Sequence, residues 1–180
     1  FLPQQPYLQS GTLRSQLIYP SAQSGLDDEQ LLDILGQVHL PQLAERVGGL
    51  DAVHDWEKLL SVGEQQRLAF GRVLVHQPRI VILDEATSAL DSGNEESLYG
   101  RLRGNGTTLI SIAHRAAVLR HHTHVLRLMG DGAWELHEAG GFQFDGAAAK
   151  LHSDETSPQP ARHAAPAPHW RRDEKNRLAV

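Results

Sequence analysis

Residues 80–85 read Ile-Val-Ile-Leu-Asp-Glu, an unbroken apolar run closed by two carboxylates. A short apolar run bounded by a breaker, here Pro78, predicts a strand of a parallel sheet covered on both faces. An acidic pair directly after such a strand lies at the carboxyl edge of the sheet, where open α/β sheets bind their ligands. One carboxylate there suits a hydrated Mg2+, which takes few protein ligands and keeps several waters. The other suits a water being aligned for in-line attack on phosphorus. Taken alone, the pattern fits equally well a strand-end pair that caps the next helix.

The flanking periodicities place helices around this strand. A helix is predicted from about Gly63 to His76, burying Phe70, Val73 and Leu74 and stopped by Pro78. Another, from about Ser92 to Arg103, leads into a strand at Thr107–Ala113. Upstream, the segment Phe1–Leu8 with Pro3 and Pro6 is extended. Thr12–Leu17 makes a short helix with Leu13 and Leu17 on one face. Asp27, Asp28 and Glu29 begin a helix whose Leu31, Leu32, Ile34, Leu35 and Val38 have helical spacing. Downstream, a short helix near Ala116 precedes a strand at Val125–Leu128, and Gly130-Asp131-Gly132 turns into Ala133–His137 as a hairpin. The class is α/β, with ligand chemistry at the carboxyl ends of the strands. Ser61-Val62-Gly63-Glu64, opening the longest helix, has the spacing of a capping box. A helix N-terminus with a glycine and a hydroxyl also admits a phosphate, and the two readings are compatible.

Charge divides the chain near residue 150. Residues 1–150 hold 12 basic and 18 acidic residues, whereas 151–180 hold 5 and 4 together with four of the nine prolines. The expectation is a folded part at 1–150 and a disordered tail at 151–180. A net charge of −5 lacks the basic footprint of nucleic-acid binding, so no nucleic-acid partner is expected. The absence of cysteine excludes a disulfide framework and a thiolate metal site. No stretch approaches the roughly 18 apolar residues that would span a membrane. His121, His122 and His124 read as an exposed turn before a strand, and Trp134 and Phe142 as covers for the sheet.

The segment LLSVGEQQRLAFGRVLVHQPRIVILDEATSALD resembles the signature-to-Walker-B core of ATP-binding cassette (ABC) ATPases. Leu60–Gln65 corresponds to the signature motif, Ile80–Glu85 to Walker B with its glutamate, and Ser88–Asp91 to the D-loop. Ile112–Arg115 corresponds to the switch histidine, and Phe1–Gln4 to the Q-loop, followed by the Pro6-Tyr7 and Gly11–Arg14 of exporter-type cassettes. Trp56–Phe70 and Tyr19-Pro20 resemble the subgroup of peroxisomal fatty-acyl and cobalamin half-transporters and their bacterial peptide/vitamin B12 relatives. Val62 stands where glycine is usual and Glu64 where glutamine is usual, so position 62 needs no positive φ.

The resemblance implies part of a P-loop NTPase-type parallel sheet with the ABC helical signature subdomain, and ATP hydrolysis that powers transport across a membrane. Cassettes pair head to tail, so the partners implied are a second nucleotide-binding domain and a transmembrane domain in the same full-length chain. The implied location is the cytoplasmic face of a membrane, a bacterial inner membrane. Asp84 would hold Mg2+, Glu85 would be the general base, and His114 would contact the γ-phosphate. Gln4 would touch Mg2+ and the attacking water. Ser61, Val62, Gly63 and Glu64 would bind the ATP held by the partner, and Asp91 would couple the two sites. The alternatives are a soluble ABC-type ATPase of DNA repair, chromosome maintenance or translation, and a non-catalytic remnant. The family's G-x-x-x-x-G-K-[ST] loop has no counterpart, because Lys58, Lys150 and Lys175 follow Glu57, Ala149 and Glu174. With Phe1 first and Met129 the one methionine, the expectation is a segment that begins after that loop and is inactive alone.

Overall fold

The apolar run forms strand β1 (Ile80–Asp84), which pairs in parallel with β2 (Thr108–Ile112), Ile82 opposite Ile110 and Asp84 opposite Ile112. The first residues of the chain join the other edge of β1. Leu2 N–H donates to Ile82 O and Asp84 N–H to Leu2 O, both at 2.8 Å. Parallel strands need a crossover, and α6 (Ser92–Gly104) lies between the two in sequence, burying Leu98, Tyr99 and Leu102. The computed structural model describes residues 1–128 and 132–143, and the backbone of 162–163.

Burial of β1 departs from expectation. Val81 and Leu83 are buried, but Ile80 is 60% and Ile82 36% exposed, beside Ile110 at 50% and Ile112 at 51%. Successive strand residues face opposite sides, and among the described residues no element covers the isoleucine side.

Between the first segment and β1 lies a helical layer: α1 (Leu13–Ile18), α2 (Asp28–Gln37), α3 (Leu43–Val47), α4 (Trp56–Leu59) and α5 (Val62–His76). Each expected helix has its local cause. Thr12 caps α1 by accepting from Ser15 N–H, and Asp27 and Gln30 form a capping box on α2. Helix α5 opens on Ser61 with a capping box to Glu64 and ends at Gln77, whose φ of +43° precedes Pro78. It packs against α1 and α2. Gly71 permits the approach, since a Cβ there would lie 2.9 Å from Leu17 Cδ2. Arg72 ties the layers together: Nε donates to Gln16 O and Nη1 to Tyr7 O, both at 2.7 Å, and the guanidinium lies 5.1 Å from the Tyr19 ring centroid. Burial pushes its pKa down to about 10. Helices α3 and α4 were not anticipated. At five and four residues they are too short to display a helical period.

Phe1–His114 forms one compact unit and a second begins at Arg115. In the second, a 3₁₀ turn at Ala116–His121 precedes β3 (His124–Leu128), which pairs antiparallel with β4 (Trp134–Glu138). The expected Gly130–Gly132 turn lies mainly outside the described residues. His121 is buried, which corrects the expectation of an exposed turn. The 150 boundary and the tail also lie outside, except that Arg162–His163 forms β5, paired with Trp134 and Glu135. Among the described residues no helix is long and apolar enough to cross a membrane.

Candidate functional site

The chain leaves β1 at Asp84 and turns sharply at Glu85, whose φ of +48° is uncommon for a residue with a Cβ. Glu85 N–H still bonds Ile112 O at 2.9 Å, so the ladder holds the backbone up to the turn. Ser88 N–H then donates to Glu85 O and Leu90 N–H to Thr87 O, both at 3.0 Å, winding a tight loop toward α6. The Glu85 carboxylate meets two side chains from distant segments. Gln4 Nε2 donates to Oε2 at 2.9 Å, and His114 Nε2 lies 3.2 Å from Oε1. Gln4 is carried by the segment bonded to β1, and His114 follows β2 by two residues. The Glu85 side chain is 32% exposed and that of His114 83%, so the cluster faces solvent. Asp84, half-buried at the end of β1, precedes it directly.

The oxygen donors of Gln4 and Asp84 are of a kind that fits Mg2+. The Gln4 amide nitrogen is engaged with Glu85, which leaves its oxygen to offer, and Asp84 adds a carboxylate. Both are hard oxygen donors of the kind Mg2+ prefers, in the small number it takes from protein.

A second cluster forms where α5 begins. Ser61 N–H and Oγ–H donate to Glu64 Oε2 at 2.9 and 3.0 Å, and Glu64 N–H donates back to Ser61 Oγ at 3.3 Å. Arg46 Nη1 lies 2.7 Å from the other Glu64 oxygen. Burial pushes the Glu64 carboxyl up, but the Arg46 hydrogen bond and those from Ser61 outweigh it and hold the group below its ordinary range. Val62 is exposed and has no positive φ, as expected. Gly63 needs none either. Its lack of a Cβ matters for approach, since a Cβ would lie 3.1 Å from Ala89 O. Asp91 caps α6 by accepting from Asn94 N–H at 2.9 Å and from Asn94 Nδ2, and its carboxyl is lowered by these bonds.

Gln4, Glu85 and His114 are thus brought together, Asp84 precedes Glu85 in the chain, and Ser61, Gly63 and Glu64 form a separate turn against the loop that ends at Asp91. Sequence reading missed the buried polar residues behind both. Gln66 is buried in α5, and Thr87 Oγ1 donates to the buried Glu95 Oε2 at 2.9 Å. A polar residue on the buried face of an amphipathic helix was the one local signal available.

Residues 1–88 match the family described as ABC transporter. An uncharacterised ABC transporter ATP-binding protein of Synechocystis is 55% identical over 136 residues, covering 76% of this chain and 21% of that protein. The mouse lysosomal cobalamin transporter ABCD4 is 45% identical over 76% of this chain and 24% of its own length. Mouse ATP-binding cassette sub-family D member 3 is 41% identical over 75% and 21%. Among solved structures, a bacterial Atm1-family ABC exporter with ATP bound aligns with a TM-score of 0.59 at 30% identity, covering 69% of this chain and 22% of that one. The chain spans between a fifth and a quarter of the length of these relatives.

Proposed function

The chain belongs, through residues 1–88, to the ABC transporter family, and from that premise we propose that it is the later part of a nucleotide-binding domain that hydrolyses ATP to drive transport. The observation that carries the reading is the Glu85 carboxylate held between Gln4 and His114 at the end of a parallel strand. Glu85 accepts a proton from water as that water attacks the γ-phosphorus. Gln4 fixes the carboxylate through one oxygen, and His114 presents its ring at the other, where it meets the γ-phosphate. Asp84 and the Gln4 oxygen would hold Mg2+, which supplies charge neutralisation for the phosphates. Preorganised charge around the phosphoryl group does the catalytic work.

Ser61 and the free backbone N–H groups of the first turn of α5 bind the γ-phosphate of an ATP whose other contacts come from a second cassette. Val62 and Glu64 border that phosphate, and Asp91 links the two sites. The lysine-bearing phosphate loop and the membrane-spanning part lie in other regions of a longer protein, which works as a head-to-tail dimer at the cytoplasmic face of a membrane. The 180-residue chain by itself is inert, because it has no backbone cradle for the β- and γ-phosphates.

Glu85→Gln in the full-length protein tests this. The substitution keeps the shape and removes the base, so turnover should fall by about 100-fold or more while ATP binding persists. Unchanged turnover would mean that Glu85 is not the base.

A further inference from the structure

Gln66 is 1% exposed and lies one helical turn beyond Ser61–Gly63 in α5. Its amide serves three partners. Nε2 donates to Gln4 O at 2.8 Å and to Ser88 Oγ at 3.2 Å, and Oε1 accepts from Ala89 N–H at 3.1 Å. The segments so joined lie 62 residues away on one side and 22 and 23 on the other. Both segments are tied to Glu85, one through its carboxylate and the other through its backbone. Gln4 carries the amide that grips Glu85, and Ser88-Ala89 continues the loop that starts at Glu85. A terminal amide is the side chain that can donate twice and accept at once, and in a buried site each of those partners would be costly to leave alone.

We infer that Gln66 is a positioning residue for hydrolysis, locking the Gln4 backbone and the Ser88–Ala89 loop to the first turn of α5. This rests on the ATP-hydrolysis reading above and deepens it. Gln66 touches neither Glu85 nor a reacting atom. It acts by fixing the backbone on both sides of Glu85. The same helix presents Ser61 and Gly63, and Gly63 lies close against Ala89 O, where a Cβ would come to 3.1 Å. A phosphate drawn onto the α5 turn therefore shifts, through Gln66, the two segments that aim Glu85. The turn that serves one ATP and the carboxylate that serves the other are joined within one chain by a single buried amide.

The test compares Gln66→Leu, Gln66→Glu, Glu85→Gln and the unmodified protein, all full-length, for kcat, KM for ATP and melting temperature across pH. Both Gln66 variants should lose about ten- to a hundred-fold in kcat near pH 8, the scale of a misplaced reacting geometry, with KM within two-fold. Gln66→Glu keeps the acceptor for Ala89 N–H, but as a carboxylate it offers Gln4 O no proton. Burial among a carbonyl and a hydroxyl raises such a carboxyl, so acidification restores one O–H donor. Turnover of Gln66→Glu relative to the unmodified protein should therefore recover toward pH 6, and that of Gln66→Leu should not. A folded Gln66→Leu with kcat within two-fold of normal would overturn the inference. So would losses that track melting temperature, with no acid recovery in Gln66→Glu. If Gln66→Leu fails to fold, the pH profile of Gln66→Glu decides alone. Should Glu85→Gln retain full turnover, the hydrolysis reading falls and this inference with it. If Glu85→Gln is dead while both Gln66 variants are normal, this inference alone falls.

Discussion

Glu64 places a negative charge at the turn assigned above to a phosphate. Its carboxylate accepts from Ser61 and pairs with Arg46, so Ser61 and Glu64 satisfy one another when no ligand competes. Glutamine serves a capping box as well as glutamate does, but it carries no charge. Glu64→Gln should therefore keep the fold and lower the ATP concentration needed for two cassettes to associate, by a few-fold, read by sedimentation with Glu85→Gln as background. Weaker association would show that the charge helps. Acid acts on the same group. Its folded pKa is depressed, so its contribution to stability is fully present above the ordinary value of 4.5 and is lost as pH falls through the folded one. Melting temperature should decline with acid below about pH 4.5, and less steeply in Glu64→Gln. The candidate residues Gln4, Asp84, Glu85, His114, Ser61, Gly63, Glu64 and Asp91 stand out in the sequence because short motifs carry them. Arg46, Gln66 and Glu95 were not, since each matters through a contact that only the folded chain creates.

Helix α5 is the element on which both clusters and the α-helical layer depend. Its start was legible from Ser61 and Glu64 and its end from Pro78, and the structure has it from Val62 to His76. Which face it buries, and against what, was only half legible. Apolar spacing found Phe70, Val73 and Leu74, whereas Arg72, which that spacing does not reach, is also buried in the fold. Its guanidinium satisfies Gln16 O and Tyr7 O, which belong to α1 and to the segment after Gln4. Removing it strands two carbonyls, and a lysine cannot replace a planar fork that binds in two directions. Arg72→Leu should cost about 2–3 kcal/mol, and Arg72→Lys should recover less than half of that, judged by denaturant midpoints on the full-length protein. Equal stability of Arg72→Lys and the unmodified protein would reduce Arg72 to a charge. The same limit explains β1. An apolar run announces a strand, but not which of its faces the rest of the chain supplies with a cover.

At the scale of the whole molecule the exposed apolar residues make one argument. In the first unit Ile80, Ile82, Ile110 and Ile112 stand on a sheet face that no element covers among the described residues, and in the second Leu126, Leu128 and Leu136 are more than half exposed. Soluble proteins rarely leave contiguous apolar patches of this kind uncovered. The proposed function requires a phosphate loop from elsewhere in a longer protein, and a strand and helix carrying that loop would bring apolar surface to such a face. The chain as 180 residues and the same chain preceded by the rest of its cassette should then differ in two ways at once. The short form should bind an environment-sensitive dye, melt without a sharp transition and show no magnesium-dependent ATP turnover. The extended form should lose most of the dye signal, melt cooperatively and hydrolyse ATP. Both readouts are needed, because dye loss without turnover would mean that the added segment covers the face yet supplies no working phosphate loop. Magnesium-dependent turnover by the short form would overturn the assignment of the phosphate cradle to another region. A cooperative melt of the short form without dye binding would show instead that the isoleucine face is covered within the chain itself.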